Sequence, residues 1–243
     1  MQPRTGGSRG PLNANLLLLI LLGVSTVLLI TLQIRKAVHA PPGSAEDLQS
    51  GGQPLYFEAG DYVIGFAVRQ VSLATADQVM LVEFVDAKGV APEIVPRVGG
   101  TAPAAQARSG QIYELLEEVR YPNLWPGISM ACNCGPGGEI RHTYTLDPGA
   151  DPGRIRLRYS APVTLGPDGR LTLHLPAGPL IEMKPAAWQH SGEERVSILA
   201  AYVVEQTRDG QEVRLSLGSY DPRYPLTIWH ILARPQEGGA SER

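Results

Sequence analysis

Cys132 and Cys134 are the closest pair of residues in this sequence whose side chains could react with each other. In an extended strand, side chains two residues apart share a face at about 6.6 Å, the upper limit of the Cα separation that a disulfide spans. The pair predicts either an intramolecular disulfide, as an oxidising compartment would allow, or two separate structural thiols. A zinc site has little support, because the chain contains no second Cys-x-Cys or Cys-x-x-Cys pair.

Acidic residues in turns form the second candidate group. Asp147, Asp151 and Asp168 lie among glycines and prolines, and carboxylates in loops can bind calcium. No run, however, spaces alternating oxygen ligands ahead of a closing bidentate acid, and Asp stabilises turns by accepting backbone hydrogen bonds. We therefore predict a turn-forming role for these aspartates and no metal-ligating residue in the chain.

The five histidines are scattered singly, at His39, His142, His174, His190 and His230. Neither the His-Glu-x-x-His pattern of zinc hydrolases nor the Gly-x-Ser-x-Gly turn of serine hydrolases occurs. A catalytic triad could still assemble from distant positions, since geometry defines such sites. The sequence predicts no catalytic residue, no cofactor-binding residue and no cofactor, and we do not expect an enzyme.

Three tryptophans, Trp125, Trp188 and Trp229, are the residues best suited to stack on sugar rings. In a β-domain, however, large aromatic side chains are more often part of the core. We expect all three in the core. An exposed aromatic platform near Trp125 or Trp188 would instead favour a glycan-binding site.

The elements that position these residues are predicted to be short β-strands. In "RIRLRY", Ile155, Leu157 and Tyr159 alternate with arginines, which is the period of a strand with one buried face, so the arginines should point away from the core. Turns are frequent, as at "GPDG" between "PVTL" and "RLTLHL". About a dozen such strands predict an all-β fold, an antiparallel β-sandwich-like domain. Only residues 111–121 fit helix and strand alike.

The organisation along the chain follows from its hydropathy. Residues 15–34 carry no charge and are long enough to cross about 30 Å of hydrocarbon as a helix, so they predict one N-terminal transmembrane signal anchor. A short N-terminal tail precedes it at 1–14. We expect a flexible linker at 35–54, a β-rich extracytoplasmic domain at 55–232 and a disordered tail at 233–243.

The predicted topology is a single pass through the cytoplasmic membrane with the C-terminal domain outside the cytoplasm. Basic residues on the two sides of 15–34 nearly balance, so the short preceding tail, rather than charge, favours this orientation. The alternative is secretion after cleavage near Ala40, although the apolar run exceeds the roughly 7–15 residues of a signal peptide. Beyond Ala40 the chain carries 17 basic and 24 acidic side chains, a net charge of −7 that opposes nucleic-acid binding.

The order of motifs from about Val119 to Leu232 resembles a known family. "VRYPNLWPGISM", "LDPGADPGRIRLRY" and "YDPRYPLTIWHIL" are similar to the extracytoplasmic domain of unknown function that precedes SBBP β-propeller repeats in bacterial secreted and surface proteins. The resemblance is weaker over 55–110, and the repeats do not occur in this sequence. It implies a bacterial, exported β-rich domain and supplies no catalytic residues.

Together these features predict a membrane-anchored extracytoplasmic β-domain with a structural or protein-interaction role at the bacterial cell envelope. The expected partners are the membrane, through residues 15–34, and an envelope protein. An envelope glycan-binding module is the alternative. A hydrolase is the third candidate, which would need a concave pocket with convergent acids or histidines.

Overall fold

The structure, a computed structural model, describes residues 54–59, 62–75, 78–95, 112–113, 118–134, 139–192 and 194–235. Apart from a 3-10 helix at Pro152–Arg154, all regular secondary structure in these ranges is β-strand. In chain order the strands are β1 (Leu55–Ala59), β2 (Tyr62–Phe66), β3 (Gln70–Ala74), β4 (Val79–Phe84), β5 (Glu93–Ile94), β6 (Ile112–Tyr113), β7 (Val119–Trp125), β8 (Ile128–Cys134), β9 (Ile140–Leu146), β10 (Arg156–Tyr159), β11 (Val163–Leu165), β12 (Leu171–Leu173), β13 (Leu180–Glu182), β14 (Ala186–Ser191), β15 (Glu194–Ile198), β16 (Ala200–Thr207), β17 (Gly210–Leu217) and β18 (Leu226–Ala233).

These strands form two sheets, which we name A and B. Sheet A has the order β16-β17-β10-β4-β3-β2-β1-β6, and sheet B has the order β11-β12-β13-β18-β9-β8-β7-β5. Strand β14 also pairs with β18, and β15 pairs with β14. Every pairing is antiparallel except that of β1 with β6. The predicted all-β, antiparallel, sandwich-like architecture is therefore confirmed, with more strands than the expected dozen because several have only two or three residues.

The core lies between the two sheets. From β7 of sheet B, the Tyr121 hydroxyl donates to the carbonyl of Ala67 at 2.8 Å, and the Trp125 indole donates to the carbonyl of Val85 at 2.9 Å. Phe84 of sheet A packs edge-on against Tyr121, with 5.2 Å between ring centroids. Hydrogen bonds and ring contacts thus join the sheets.

Strand β10 has the predicted alternation. Leu157 and Tyr159 are buried, whereas Arg156 and Arg158 lie on the outer face of sheet A. Both arginines bind Glu212 of the neighbouring strand β17: Arg156 Nη2 lies 2.6 Å from its Oε2 and Arg158 Nη2 lies 2.8 Å from its Oε1. The Glu212 side chain is only 2% exposed, with one guanidinium group on each carboxylate oxygen.

Glu212→Gln is expected to lower the free energy of unfolding by about 2 kcal/mol at neutral pH, because it removes charge-assisted hydrogen bonds from two arginines. Burial raises the pKa of Glu212, but the hydrogen bonds from Arg156 and Arg158 outweigh burial and bring the pKa below its usual range. On acidification, Glu212 therefore becomes protonated at a higher pH in the unfolded chain than in the folded protein. The stabilisation is complete above about pH 4.5 and is lost as the pH falls through the folded-state pKa.

Urea denaturation of wild type and Glu212→Gln across the acidic range measures this contribution. The difference in unfolding free energy between the two proteins should shrink as the pH falls, while carboxylates that do not contact Arg156 or Arg158 affect both proteins equally. A difference that is absent at neutral pH, or constant on acidification, would contradict the prediction.

Three further predictions concern single segments: the membrane anchor, the ambiguous segment 111–121 and the hairpin at "GPDG". The anchor at 15–34 lies outside the described residues, and within the described ranges no helix has the length and apolar character to cross a bilayer. The ambiguous segment 111–121 contributes strand β6 and the start of β7. The hairpin at "GPDG" is confirmed, since Leu165 of β11 pairs with Leu171 of β12.

Candidate functional site

Three polar side chains, His142, Glu182 and His230, face the core from sheet B. His142 on β9 lies directly opposite His230 on β18. Glu182 lies on β13, on the other side of β18, opposite Leu232 and therefore diagonal to His230. Glu182 and His230 are 1% and 2% exposed. Three residues that are far apart in the sequence thus meet between the sheets.

Strand alternation places these polar residues inside. In β9 the buried residues Ile140 and Tyr144 lie two positions before and after His142. In β18 the residues two positions before and after His230 are likewise buried. Since residues i and i+2 of a strand share a face, both histidines must point into the sandwich.

The carboxylate of Glu182 is at the centre of this cluster. Its Oε1 lies 2.7 Å from Nδ1 of His230, and its Oε2 accepts a 2.5 Å hydrogen bond from the hydroxyl of Tyr159 in sheet A. One ring nitrogen of each histidine and one carboxylate oxygen all lie within 4.8 Å of one another. Nδ1 of His142 is buried without a hydrogen-bond partner, and Nδ1 of His230 is out of line for a hydrogen bond despite its short distance to Glu182.

Aromatic rings hold His230 in position. Tyr144 stacks on it with 5.7 Å between centroids and 14° between planes, and Tyr202 meets it edge-on at 5.9 Å. The Tyr202 hydroxyl donates to the carbonyl of Met183 at 3.0 Å, next to Glu182. These contacts restrict rotation of the imidazole.

A cavity of about 20 Å³ lies next to the cluster. Its walls are mostly apolar, including Val71, Val82 and Phe84 of sheet A, and its polar lining comes from the cluster and the adjacent tyrosines. A cavity of this size holds roughly one particle as large as a water molecule.

Burial decides the protonation of the cluster. Burial lowers the pKa of His142 to about 3, and His230 contributes in the same direction. Burial raises the pKa of Glu182, but its contacts with His230, His142 and Tyr159 outweigh burial and leave the pKa below its usual range. At neutral pH the interior therefore contains a neutral His142 imidazole beside an ionised Glu182.

Sequence reasoning missed this cluster because it treated the histidines as isolated and did not consider Glu182. A signal was present: His142 shares its strand face with Ile140, Tyr144 and Leu146, so an inward-pointing histidine could have been inferred. The spatial order of the strands was the missing information. The sequence predicts no metal-ligating residue, whereas the structure brings two imidazole nitrogens and one carboxylate oxygen close together in this cluster.

The remaining histidines lie elsewhere. His174 is exposed and contacts Thr164 at 2.9 Å, and His190 is exposed at the end of β14. His39 lies outside the described residues.

The two cysteines are free thiols in the structure, both on β8. Cys132 is buried directly opposite His142, and Cys134 is half-buried opposite Ile140. Burial raises the pKa of both thiols, that of Cys134 to about 11, so neither is activated for reaction near neutral pH. The predicted bridge is not formed here and stays a prediction for the oxidised protein.

The aspartates stabilise their own turns. Asp151 Oδ1 accepts a hydrogen bond from the amide of Gly153 at 2.9 Å, and Asp168 accepts one from the amide of Arg170 at 3.1 Å. The carbonyl of Asp147 accepts from the amide of Ala150 at 3.0 Å. The turn-forming role of the side chain is confirmed for Asp151 and Asp168, and it stays a prediction for Asp147.

The tryptophans divide between the core and the surface. Trp125 is buried, as expected, but the expectation was wrong for Trp188 and Trp229, which are half-buried on the outer face of sheet B. Both tryptophans alternate along their strands with the buried residues of β14 and β18, so their side chains point to the opposite face of the sheet. The two rings meet edge-on at 6.4 Å, with Arg195 3.9 Å above Trp188 and Arg141 5.1 Å above Trp229.

Comparison with known proteins gives one match. A family model for a domain of unknown function, DUF7948, matches residues 102–228, which is slightly more than half of the chain. The matched range includes His142 and Glu182 and ends two residues before His230. No curated protein and no solved structure matches. The chain belongs to the DUF7948 family of domains of unknown function.

Proposed function

We propose that this chain is a membrane-anchored, extracytoplasmic domain that binds an extended segment of another protein of the bacterial cell envelope. The uncharged segment 15–34 supports the anchor. The similarity to domains that precede SBBP repeats in bacterial secreted and surface proteins supports the location. The main support for binding of a partner protein is the exposed edge of sheet A at β16.

Strand β16 ends sheet A and has one hydrogen-bonded neighbour, β17, among the described strands. Strand β11 lies near β16, and its Val163 exchanges hydrogen bonds of 2.9 and 3.2 Å with the side chain of Gln211 in β17, opposite Gln206 in the second half of β16. The first half of β16 therefore offers its outer backbone groups for pairing. Natural proteins usually shorten or charge such edges, whereas β16 has eight residues. An open edge of this length suits the addition of an extended strand from a partner.

Exposed apolar side chains lie on β16, on the strand that precedes it in the chain and on a segment that contacts it. Leu199, just before β16, is 71% exposed, and Val203 within it is 37% exposed. Val196 on β15 and Met183 are exposed to a similar extent, and the Met183 carbonyl accepts the hydrogen bond from Tyr202 of β16. A partner segment with apolar side chains would cover these groups while its backbone pairs with β16.

The variant Val203→Cys tests two parts of the proposal in one experiment: the extracytoplasmic location of the domain and the binding of a partner at the edge of β16. Intact cells of the source organism are treated with a photoreactive maleimide that cannot cross the cytoplasmic membrane. Thr145→Cys, on the exposed outer face of sheet B, is the matched control. We expect both cysteines to be labelled without permeabilisation, and only Val203→Cys to crosslink to one discrete protein. Adding Ala201→Lys should reduce that crosslink about tenfold, because it places a charge at the edge.

The native thiols contribute little background, since Cys132 is buried and burial raises the pKa of Cys134 to about 11. Labelling that requires permeabilisation would contradict the location. Equal crosslinking from both cysteines, or none from Val203→Cys, would contradict the edge. A crosslinked homodimer would identify a second copy of this chain as the occupant instead.

A glycan-binding module is the second candidate, and the surface position of Trp188 and Trp229 favours it. Aromatic rings beside hydroxyl groups such as that of Thr227, which pairs with Trp188, suit sugars. Binding of envelope polysaccharide that is lost in Trp188→Ala and kept in Ala201→Lys would support this function over the first. That the chain is not an enzyme stays a prediction.

A further inference from the structure

We propose that His142, Glu182 and His230 bind one divalent transition-metal ion between the sheets, with Zn²⁺ as the ion that fits best. This site is independent of the β16 edge and of the proposed interaction role. It would be an interior structural centre, because Glu182 and His230 are buried and the Nδ1 atom of the half-buried His142 is shielded from solvent.

The donor set selects the class of metal. Two imidazole nitrogens and one carboxylate oxygen are ligands of zinc and its neighbours, whereas calcium and magnesium prefer six or more oxygens. The cavity of about 20 Å³ beside the three side chains has room for a small fourth ligand such as water.

The distances are close to those of a tetrahedral site. Zinc–nitrogen and zinc–oxygen bonds of about 2.0–2.1 Å place neighbouring ligand atoms roughly 3.3 Å apart. The three donor atoms already lie within 4.8 Å of one another, so side-chain adjustments of about an ångström would complete the coordination.

The cluster also has unmet bonding capacity. Buried polar atoms in proteins nearly always have a partner, yet Nδ1 of His142 and Nδ1 of His230 make no well-formed hydrogen bond. Glu182 adds a negative charge at 1% exposure, with the hydrogen bond from Tyr159 at one oxygen and Nδ1 of His230 2.7 Å from the other. A cation bound among these three side chains would give the imidazole nitrogens a bonding partner and would also balance the negative charge of the Glu182 carboxylate.

The surroundings match those of known metal ligands. A hydrogen bond from a neighbouring group usually orients a ligating carboxylate, and Tyr159 does so at Oε2 while Oε1 faces His230. Tyr144 and Tyr202 hold the His230 ring.

The test uses the purified full chain without a polyhistidine tag. Metal content is measured by mass spectrometry after purification without chelator, and the metal-stripped protein is then titrated with Zn²⁺ and with Co²⁺. We expect about one equivalent of bound metal and a rise in the unfolding temperature on Zn²⁺ addition. The Co²⁺ form should show visible d–d bands but no near-ultraviolet thiolate band, because neither cysteine is a ligand.

Variants separate this site from adventitious binding. His142→Gln, Glu182→Gln and His230→Gln should each weaken Zn²⁺ binding at least about 100-fold, and Tyr159→Phe about tenfold. His174→Gln and His190→Gln, at exposed histidines, should bind as wild type does.

Three results would overturn the proposal: no Zn²⁺ or Co²⁺ bound by the wild type, metal retained by all three ligand variants, or a thiolate band that assigns the metal to Cys132 and Cys134. The wild-type Co²⁺ spectrum and stoichiometry decide the question even where a variant does not fold.

Discussion

Trp125→Ala is expected to lower the free energy of unfolding by about 4 kcal/mol. The indole is 1% exposed and packs edge-on against Phe84 of the opposite sheet, with 5.9 Å between ring centroids. Its Nε1 donates to the carbonyl of Val85, so truncation also leaves a buried acceptor without a partner. Urea denaturation followed by far-ultraviolet circular dichroism measures the change without depending on tryptophan fluorescence.

Two variants show which part of the effect belongs to the core. Trp125→Phe keeps a ring but loses the hydrogen bond, and it should cost about 2 kcal/mol. Trp188→Ala removes a half-buried indole from the outer face of sheet B and should cost about 1 kcal/mol. If Trp125→Ala destabilises the protein no more than Trp188→Ala does, the placement of Trp125 at the centre of the sandwich is wrong.

Glu182→Ala is expected to destabilise the protein by about 4 kcal/mol in the presence of a chelator, which makes the value independent of bound metal. Removing the carboxylate leaves the buried hydroxyl of Tyr159 without its acceptor, and this alone costs about 1–3 kcal/mol. The lost side-chain volume also enlarges the existing cavity, which adds to the cost.

Glu182→Gln is the matched control, because it keeps the shape and an oxygen that can accept from Tyr159. It should cost about half as much as Glu182→Ala, since the charge and one acceptor oxygen are lost while the volume is kept. Chemical denaturation at neutral pH provides both values. A Glu182→Ala protein as stable as wild type would show that the buried cluster contributes nothing to the fold.

The bulge in β7 shows where local sequence reasoning stops. The pairing of β7 with β8 shifts between Tyr121 and Trp125, and Asn123 has a positive φ of 52°. As a result Leu124 and Trp125, adjacent in sequence, are both buried, which regular alternation does not allow. The bulge could not be inferred from the alternation of apolar and polar residues.

The sequence by itself determined the class of fold and the faces of its strands. Alternation in a strand such as β10 is a local property, so Leu157 and Tyr159 were placed inside and the arginines outside from spacing alone. Turn chemistry is equally local, and the "GPDG" hairpin followed from it.

Only the tertiary structure decided which strands are neighbours, and therefore which side chains meet. His142 and His230 are cross-strand partners because β9 lies beside β18, and Glu182 joins them because β13 borders the other side of β18. Tyr159 reaches Glu182 from the opposite sheet. Such contacts depend on long-range packing of the whole sandwich, which no short window of sequence encodes.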